Sequence, residues 1–500
     1  MLSSLIWIPI IGALAIGLLP ASFSASKVRQ FALAIAIAIS LISLALLTQF
    51  DPTSSQFQLV EDLPWIPQLG LSYKLAVDGL SLPLLLLSNL LTAIVIYSAK
   101  PDLQRPRLYN AMILLVNAGI IGAFVAQNLL LFVIFYELEL IPLYLLIAIW
   151  GGNKRGYAAM KFLIYTAVSG ILILAGFLGT AWLSESGSFD YQDISTTALP
   201  QLTQLVLLTV LLIGFGIKIP IVPLHTWLPD AYVEASPPVA ILLGGVIAKL
   251  GTYGLVRFGL QLFPETWSLV APGIATIGTI SVLYGALTAI AQKDIKRMVA
   301  YSSIAHMGYV LLGAAALTPL ATIGIVAQMV SHGIILALLF YLVGVIEDKA
   351  GTRDLDVLNG LLNPVRGLPL TSALLILGGM ASAGIPGMMG FVAEFLVFQG
   401  SFASFPVQTI LCILGSGLTA VYFAILLNRT CFGKLDNKLA YYPKVLRSEQ
   451  LPALLMGVTI LILGIQPMWM LYWSEATTNA ISNSVPSQLT AIASQIALNR

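Results

Sequence analysis

Long apolar runs alternate with short polar segments along the whole chain of 500 residues. Because a helix needs about 20 apolar residues to cross the hydrocarbon core of a bilayer, each run is typical of a membrane-spanning helix. The pattern predicts about fourteen such helices. Their approximate spans are 2–20, 29–49, 77–98, 108–126, 128–150, 159–183, 202–224, 236–260, 270–291, 298–317, 320–346, 370–400, 405–427 and 451–473. The first span has neither a basic leading segment nor an A-x-A-like cleavage site, so we expect it to be retained rather than removed as a signal peptide.

Lysine and arginine fall mainly in the loops that follow the odd-numbered spans. Eighteen of the 24 basic residues lie there, whereas the loops on the opposite side hold only Lys74 and Arg500. Because basic residues stay on the cytoplasmic side of a membrane, the odd loops are predicted to be cytoplasmic. Both termini are then expected on the far, non-cytoplasmic side.

Composition excludes several classes of function. Hydrophobic residues make up 58% of the chain and charged residues only 9%, whereas a soluble domain has about 25% charged residues. A net charge of +2 gives no reason to expect nucleic-acid binding. Cys412 and Cys431 form no C-x-x-C pair, so no zinc or iron–sulfur site is expected. The chain also has no nucleotide-binding glycine motif.

Three predicted spans contain helix breakers. The seventh has Pro220 and Pro223, the eighth has Gly251 and Gly254, and the twelfth has a run of small residues at 381–390. Non-helical backbone at membrane depth is tolerated only around protein or water, and often marks an ion site in a transporter built from inverted repeats. We therefore predict an all-α polytopic membrane protein with broken helices 7 and 12, and helix 8 possibly interrupted. Its expected units are 1–107, a first five-helix repeat at 108–260, a second at 261–430, and a last helix with a tail at 431–500.

Among the charged residues inside apolar spans, Glu137, Lys218, Lys249 and Glu394 lie farthest from an obvious structural role. Each charge costs about 2.5–3.5 kcal/mol near the bilayer centre, so a functional role is favoured. A lysine and a glutamate whose separation changes could act as a proton switch. The alternatives are a protonated Glu137 that serves packing, and a Lys218 that extends along its helix toward the cytoplasmic surface.

Further titratable residues are weighed against structural roles. His306 and His332 lie inside the tenth and eleventh spans, where each is either a proton relay or a hydrogen-bonded packing residue. His225, at the cytoplasmic end of the seventh span, either guards a proton access path or caps a helix beside Trp227 and Asp230. Glu139 lies about 200° around the helix from Glu137 and is not expected to face the same partner, so it is a secondary site.

Two other charged residues have structural explanations. Asp78 precedes the third span in V-D-G-L-S-L-P-L and is predicted to cap that helix. Arg257 lies near the far end of the eighth span, where it is expected to extend toward the membrane interface.

Several motifs resemble one known family. They are F-Y-E-L-E-L-I-P-L-Y-L-L-I-A-I-W-G-G at 135–152, G-F-G-I-K-I-P-I-V-P-L-H-T-W-L-P-D-A at 214–231, D-I-K-R-M-V-A-Y-S-S-I-A-H-M-G-Y at 294–309, Q-M-V-S-H-G at 328–333 and G-F-V-A-E-F at 390–395. From about residue 70 to 430 the chain is similar to the antiporter-like subunit of type I NAD(P)H–quinone oxidoreductase (complex I), in its chain 4 branch. The segment E-L-E-L-I-P-L-Y-L-L resembles the corresponding segment of the photosynthetic, cyanobacterial members. The segment 351–369 resembles the isoforms that serve carbon dioxide uptake.

The resemblance implies a proton-pumping role and assigns residues to it. Glu137 matches the buried glutamate of the family, Lys218 its paired lysine, Lys249 the central lysine and Glu394 the acid on the exit side. A charge arriving from a neighbouring subunit would separate Glu137 from Lys218. The proton of Lys218 would then pass toward Lys249, the two histidines and Glu394.

The resemblance also implies partners and a location. Quinone, iron–sulfur clusters and the electron donor are expected on partner subunits, with no cofactor in this chain. Other antiporter-like subunits and lipid are expected neighbours, with a peripheral carbon dioxide-hydrating module as a further one, and a cyanobacterial thylakoid membrane as the location. Two alternatives stay open: a subunit of a multisubunit sodium/proton antiporter, and a scaffold that moves no protons.

Overall fold

The computed structural model describes residues 1–20, 22–100, 103–434 and 442–484. The tail 485–500, assigned above to the C-terminal unit, lies outside these ranges, as do Lys438 and Arg500. The helices are α1 Leu2–Leu18, α2 Ala25–Leu46, α3 Ser81–Tyr97, α4 Pro106–Val125, α5 Leu129–Leu138, α6 Leu140–Trp150, α7 Arg155–Leu183, α8 Gln201–Lys218, α9 Trp227–Glu234, α10 Pro237–Leu242, α11 Ala248–Gly254, α12 Pro264–Ile290, α13 Ile295–Ala316, α14 Pro319–Ala350, α15 Pro369–Ser382, α16 Met389–Phe402, α17 Pro406–Thr430, α18 Arg447–Ile465, α19 Met468–Leu471 and α20 Glu475–Asn483.

The predicted helical membrane fold is confirmed. Within the described residues, eleven helices are long and apolar enough to cross a membrane, and four shorter apolar helices accompany them. The continuous run Pro237–Leu260 is wholly buried, and α13 and α14 are nearly so, which places them at the centre of the bundle. Helices α2, α17 and α18 lie at its surface. The count of fourteen spans and the two inverted repeats remain predictions.

The breaks predicted in the seventh and twelfth spans are present. Helix α8 ends at Lys218 and α9 begins at Trp227, while α15 ends at Ser382 and α16 begins at Met389. The carbonyls freed by the first break are bonded within the protein, because the Trp227 indole donates to the Ile217 oxygen and the Ile221 amide donates to the Gly216 oxygen. Such internal pairing is what allows a broken helix at membrane depth.

The eighth span is not interrupted at Gly251 and Gly254, so that expectation is wrong. The chain runs on through α10 and α11 with two π-helical segments, Leu243–Ile247 and Leu255–Leu260. Both glycines instead allow α11 to approach α8 closely. A Cβ at Gly251 would lie 2.9 Å from the Ile219 nitrogen, and one at Gly254 would overlap the Phe215 ring. Small residues at helix contacts are common in membranes.

A β-hairpin precedes α3 and has no counterpart in the sequence analysis. Strands β1 (Gln58–Ile66) and β2 (Leu71–Val77) pair antiparallel. Lys74 forms an ion pair with Asp190 at 3.2 Å, and the amide of Gln127 donates to the Lys74 carbonyl. The hairpin is therefore attached to the bundle face opposite the one that carries most of the basic loops. We call the latter the basic face; its loops hold Lys100, Lys154, Lys293, Lys349 and Arg429.

A buried ion pair joins the hairpin to the bundle. Arg257 does not extend to the interface as expected, because its guanidinium pairs with Asp78, and the two side chains are 3% and 2% exposed. The other carboxylate oxygen of Asp78 accepts the amides of Leu80 and Ser81, so Asp78 bonds the turn that starts α3, from two residues before the N-cap position, which is Leu80. The Phe57 ring packs 4.9 Å from the guanidinium. One carboxylate thus connects three elements.

Asp78→Asn is expected to destabilise the protein strongly, because it leaves the Arg257 guanidinium buried beside a neutral partner. Breaking one side of a buried pair costs about 3–5 kcal/mol. The measurement is the melting temperature of the detergent-solubilised protein. Asp356→Asn is the matched control, since Asp356 pairs with Lys293 and Arg429 at an exposed site, where ion pairs contribute little. Equal melting temperatures for both variants would contradict the anchoring role of Asp78.

Candidate functional site

Lys218 is buried at the last residue of α8 and pairs with Glu139. The ammonium and this carboxylate are in direct contact, and their side chains are 2% and 0% exposed. The ammonium also lies 4.4 Å from the centre of the Tyr136 ring, a distance suited to a cation–π contact. The tyrosine hydroxyl is 3.1 Å from the Ser169 hydroxyl. The prediction that Glu139 does not face Lys218 is therefore wrong.

Glu137 occupies the opposite side of the same span. It is only partly buried, and among the described residues no basic side chain lies within ion-pair distance of it. Its carboxylate rests against α7 at Gly170, where a Cβ would overlap it. As predicted, Glu137 and Glu139 point to opposite sides of the helix, about 200° apart. However, the carboxylate that pairs with Lys218 is that of Glu139 and not that of Glu137.

A signal in the sequence could have found this face. Phe132, Tyr136, Glu139, Leu143 and Leu146 recur at intervals of three or four residues, and all five are buried. This spacing marks the inward side of one helix, and it includes Glu139 rather than Glu137. The motif F-Y-E-L-E-L taken alone does not show which of its two glutamates faces inward.

Lys249 lies in α11 at the centre of the bundle, fully buried. Its ammonium donates to the Gly244 carbonyl at 2.5 Å and lies 2.8 Å from Nδ1 of His332 in α14. Among the described residues no carboxylate pairs with it. Gly244 belongs to the first π-helical segment, a feature that often accompanies functional sites. Lys249 and His332, two predicted site residues, are thus in direct contact.

The second histidine continues the row. The rings of His332 and His306 have centroids 5.4 Å apart. Nε2 of His306 lies 3.0 Å from the Ser382 hydroxyl, and Nδ1 lies 3.4 Å from the Gln328 amide and 3.7 Å from Oε1 of Glu394. A cavity of about 10 Å³ lies between these groups, which is about the least that one water molecule needs.

Glu394 ends the row in α16 and is 5% exposed. The Ser416 hydroxyl of α17 donates to its Oε2 at 2.6 Å. The connecting segment between α15 and α16 passes directly over the carboxylate, because a Cβ at Gly384 would lie 2.7 Å from Oε2. Gly384 has φ = +67°, a left-handed conformation that favours glycine. The break therefore brings the chain against Glu394.

His225 does not join this row. Its ring packs 4.8 Å from the ring of Tyr284, and its Nδ1 is buried with no hydrogen bond among the described residues. It does not cap α9, since no side chain caps that helix. Asp230, named above as its neighbour, instead binds Lys161 at 2.8 Å and Arg297 at 3.3 Å.

The site contains polar residues that the sequence analysis did not single out. Ser382 and Ser416 bond His306 and Glu394, while Gln328 lies on the same helix face as His332, one turn away. The sequence could have indicated two of these residues, because Ser382 lies at the predicted break and Gln328 is the first residue of the motif Q-M-V-S-H-G. No sequence pattern indicated Ser416. No group of three or more metal-ligating side chains occurs in the part of the chain that the structure describes.

Family comparison places the chain among known proteins. Residues 126–419 match the family model described as NADH:quinone oxidoreductase/Mrp antiporter, TM. The chain is 41% identical to NAD(P)H-quinone oxidoreductase chain 4 2 of Thermosynechococcus vestitus, over 98% of this chain and 93% of that protein. It is 40% identical to NAD(P)H-quinone oxidoreductase chain 4 of Prochlorococcus marinus, over 100% of this chain and 94% of the relative.

Solved structures share the architecture. A chain of respiratory complex I from Thermus thermophilus with bound NADH superposes with a TM-score of 0.88 at 26% identity, covering 97% of this chain and 100% of that one. A chain of the Mrp complex from Dietzia sp. DQ12-45-1b gives a TM-score of 0.86 at 21% identity, covering 98% and 99%. At that identity the second likeness shows the fold alone.

Glu139→Gln is expected to destabilise the protein more than Glu137→Gln. The first leaves the Lys218 ammonium buried without its ion pair, at a cost of about 3–5 kcal/mol. The second leaves the ion pair intact. Melting temperatures of the two solubilised variants provide the comparison, and each substitution keeps the volume of the side chain. A larger loss with Glu137→Gln would mean that Glu137, not Glu139, holds the lysine.

Proposed function

We propose that this chain, which belongs to the NADH:quinone oxidoreductase/Mrp antiporter family of membrane subunits, translocates protons within an NAD(P)H–quinone oxidoreductase complex. Its role would be to couple quinone reduction, carried out by partner subunits, to proton movement across the membrane. The single observation that supports this most is the row of buried titratable groups. It contains Lys249, His332, His306 and Glu394, each next to another, at the depth of the membrane spans.

The ion pair of Lys218 with Glu139 would be the switch. The carboxylate favours the charged form of the lysine, and its withdrawal or neutralisation would let the ammonium give up a proton. Glu137 lies on the partly exposed face of the same span, where a charge on a neighbouring subunit could act on it. We propose that Glu137 receives this influence and that Glu139 passes it to Lys218.

Lys249 would be the central carrier. Its ammonium donates to His332, and a proton taken by Nδ1 can leave from Nε2, because imidazole carries protons between its two nitrogens. Nε2 of His332 is buried with no partner among the described residues. The small cavity beside it reaches His306 and Glu394, so one water molecule there would connect the three groups.

Glu394 would release the proton. The Ser416 hydroxyl bonds one oxygen, and the irregular segment 383–388 separates the carboxylate from the exterior. We propose release toward the face of the β-hairpin, predicted to be lumenal. His225 would lie beside an access path from the basic face rather than in the row itself.

The remaining assignments are proposed on the family and the cyanobacterial relatives. Quinone, iron–sulfur clusters and the electron donor would be held by partner subunits, with further antiporter-like subunits and lipid as neighbours. A thylakoid membrane, with both termini lumenal, is the proposed location. The units 108–260 and 261–430 are proposed as the two inverted repeats. The segment 351–369 is partly exposed, with Val365 81% exposed, and would contact a carbon dioxide-hydrating module.

Lys249→Met is expected to stop proton translocation while assembly is retained, because it removes the charge at similar volume. The intact complex in proteoliposomes allows quinone reduction and internal pH to be followed together. Lys293→Met is the matched control, since that lysine is exposed at the basic face. Unchanged pumping by Lys249→Met would favour a scaffold. Pumping that requires sodium would favour the antiporter alternative.

Glu137→Gln and Glu139→Gln should both abolish pumping if the two carboxylates act in sequence. In complexes that assemble normally, proton uptake is expected to fall by at least about 10-fold in each variant, since positioned proton-transfer groups contribute on the order of 10²–10⁴-fold. If Glu137→Gln pumps normally while Glu139→Gln does not, Glu137 is not needed and the switch consists of Glu139 and Lys218.

A further inference from the structure

A large cavity opens at the basic face above the centre of the bundle. Its volume is about 590 Å³, and it lies between the ends of α3, α6, α10, α13 and α14. Several charged side chains of its wall are held in ion pairs. Lys349 pairs with Glu449 at 2.9 Å, and Arg353 pairs with Glu347 at 3.2 Å. Lys296, which also lines the cavity, has a different environment.

Lys296 is 2% exposed and forms no ion pair among the described residues. Its ammonium donates to two backbone carbonyls, those of Val233 at 3.0 Å and Ala235 at 2.6 Å. An ammonium has three donors, so one remains for water in the cavity. The charged groups that face it are Glu234, Asp294, Glu347 and Arg353.

Two buried hydroxyls lie further inward. Ser303 follows Lys296 by seven residues in α13, so it lies two turns deeper on the same face, about 10.5 Å along the axis. Its hydroxyl is fully buried and lies beside the hydroxyl of Tyr232. Tyr232 belongs to α9, close to the two carbonyls that Lys296 holds.

Tyr232 leads to the central lysine. Its hydroxyl donates to the carbonyl of Leu243 at 2.9 Å, and Lys249 donates to the next carbonyl in the chain, that of Gly244. Both carbonyls belong to the π-helical segment Leu243–Ile247. From the basic face inward, the order is therefore the cavity, then Lys296, then the hydroxyls of Ser303 and Tyr232, and finally Lys249.

We propose that Lys296, Ser303 and Tyr232 form the route by which protons from the basic-face cavity reach Lys249. After Lys249 has given its proton to His332, Lys296 gives one inward to water and the two hydroxyls, which pass one on to Lys249. Lys296 then takes another proton from water in the cavity, so no other reactant is needed. This inference rests on the proposed function. A purely structural role is the competing explanation, because a lysine can cap the last carbonyls of a helix such as α9.

Lys296→Arg separates the two roles. Arginine keeps a positive charge and several donors for both carbonyls, but it does not release its proton in proteins. In the intact complex in proteoliposomes, Lys296→Arg is expected to assemble and melt as the parent does, while proton uptake falls by at least about 10-fold. Lys296→Met should lose uptake as well. Uptake equal to the parent's in Lys296→Arg would overturn the proposal.

Tyr232→Phe tests the inner part of the route without any change of charge. It removes one hydroxyl, and the same loss of at least about 10-fold in proton uptake is expected. Tyr253→Phe is the matched control, because Tyr253 is also fully buried and its hydroxyl donates to a backbone carbonyl, that of Phe124, at 2.9 Å. Should Lys296→Arg fail to assemble, normal uptake by Tyr232→Phe would overturn the proposal by itself.

Lys249→Met distinguishes failure of this inference from failure of the proposed function. If that variant loses uptake while Lys296→Arg and Tyr232→Phe retain it, the chain moves protons by another route and only the inference fails. If Lys249→Met also retains uptake, the proposed function fails. Lys293→Met controls for the loss of one positive charge at the basic face.

Discussion

The structure depends on how it stabilises charges that are buried in its interior. Moving an ion into the protein interior costs several kcal/mol, and only close partners offset that cost. Arg257 and Lys218 are stabilised by carboxylates, those of Asp78 and Glu139 respectively. Lys249 and Lys296 are instead stabilised by hydrogen bonds to backbone carbonyls. A lysine held by neutral oxygens can lose its proton without leaving a counter-charge buried, which suits a carrier better than an anchor.

Backbone irregularity supplies those oxygens at the right depth. In a regular helix each carbonyl already accepts a bond from its own ladder, so irregular segments offer the most available oxygens for a buried ammonium. The π-helical segment Leu243–Ile247 provides carbonyls to Tyr232 and Lys249, and α8 ends at Lys218, which pairs with Glu139. The second break sets the chain over Glu394. Each irregular segment is thus next to a titratable group, and packing at the centre of the bundle keeps it in place.

The two glutamates of the fifth predicted span show how one helix can serve two surroundings. Glu139 is fully buried against Lys218, whereas Glu137 lies on the side that is partly exposed. A separation of two residues puts them on opposite faces, so one can respond to a neighbour while the other acts on the lysine. The β-hairpin and the Asp78–Arg257 pair hold the opposite end of the bundle, away from this pair.

The sequence by itself determined the membrane class, the helical fold, the family and most of the titratable residues. Apolar runs of about 20 residues form helices in a bilayer, because a helix bonds all of its backbone groups within one segment, and proline marks where a helix is interrupted. Tertiary structure alone decided which carboxylate meets Lys218, that Arg257 is paired rather than interfacial, and that Gly251 and Gly254 allow contact rather than a break. It also decided that Lys296 lines a cavity and donates to the carbonyl of Val233. These outcomes depend on which helix packs against which, because a side chain's partner comes from a distant part of the chain. Local periodicity can show that Glu139 faces inward, but not that Lys218 is its partner.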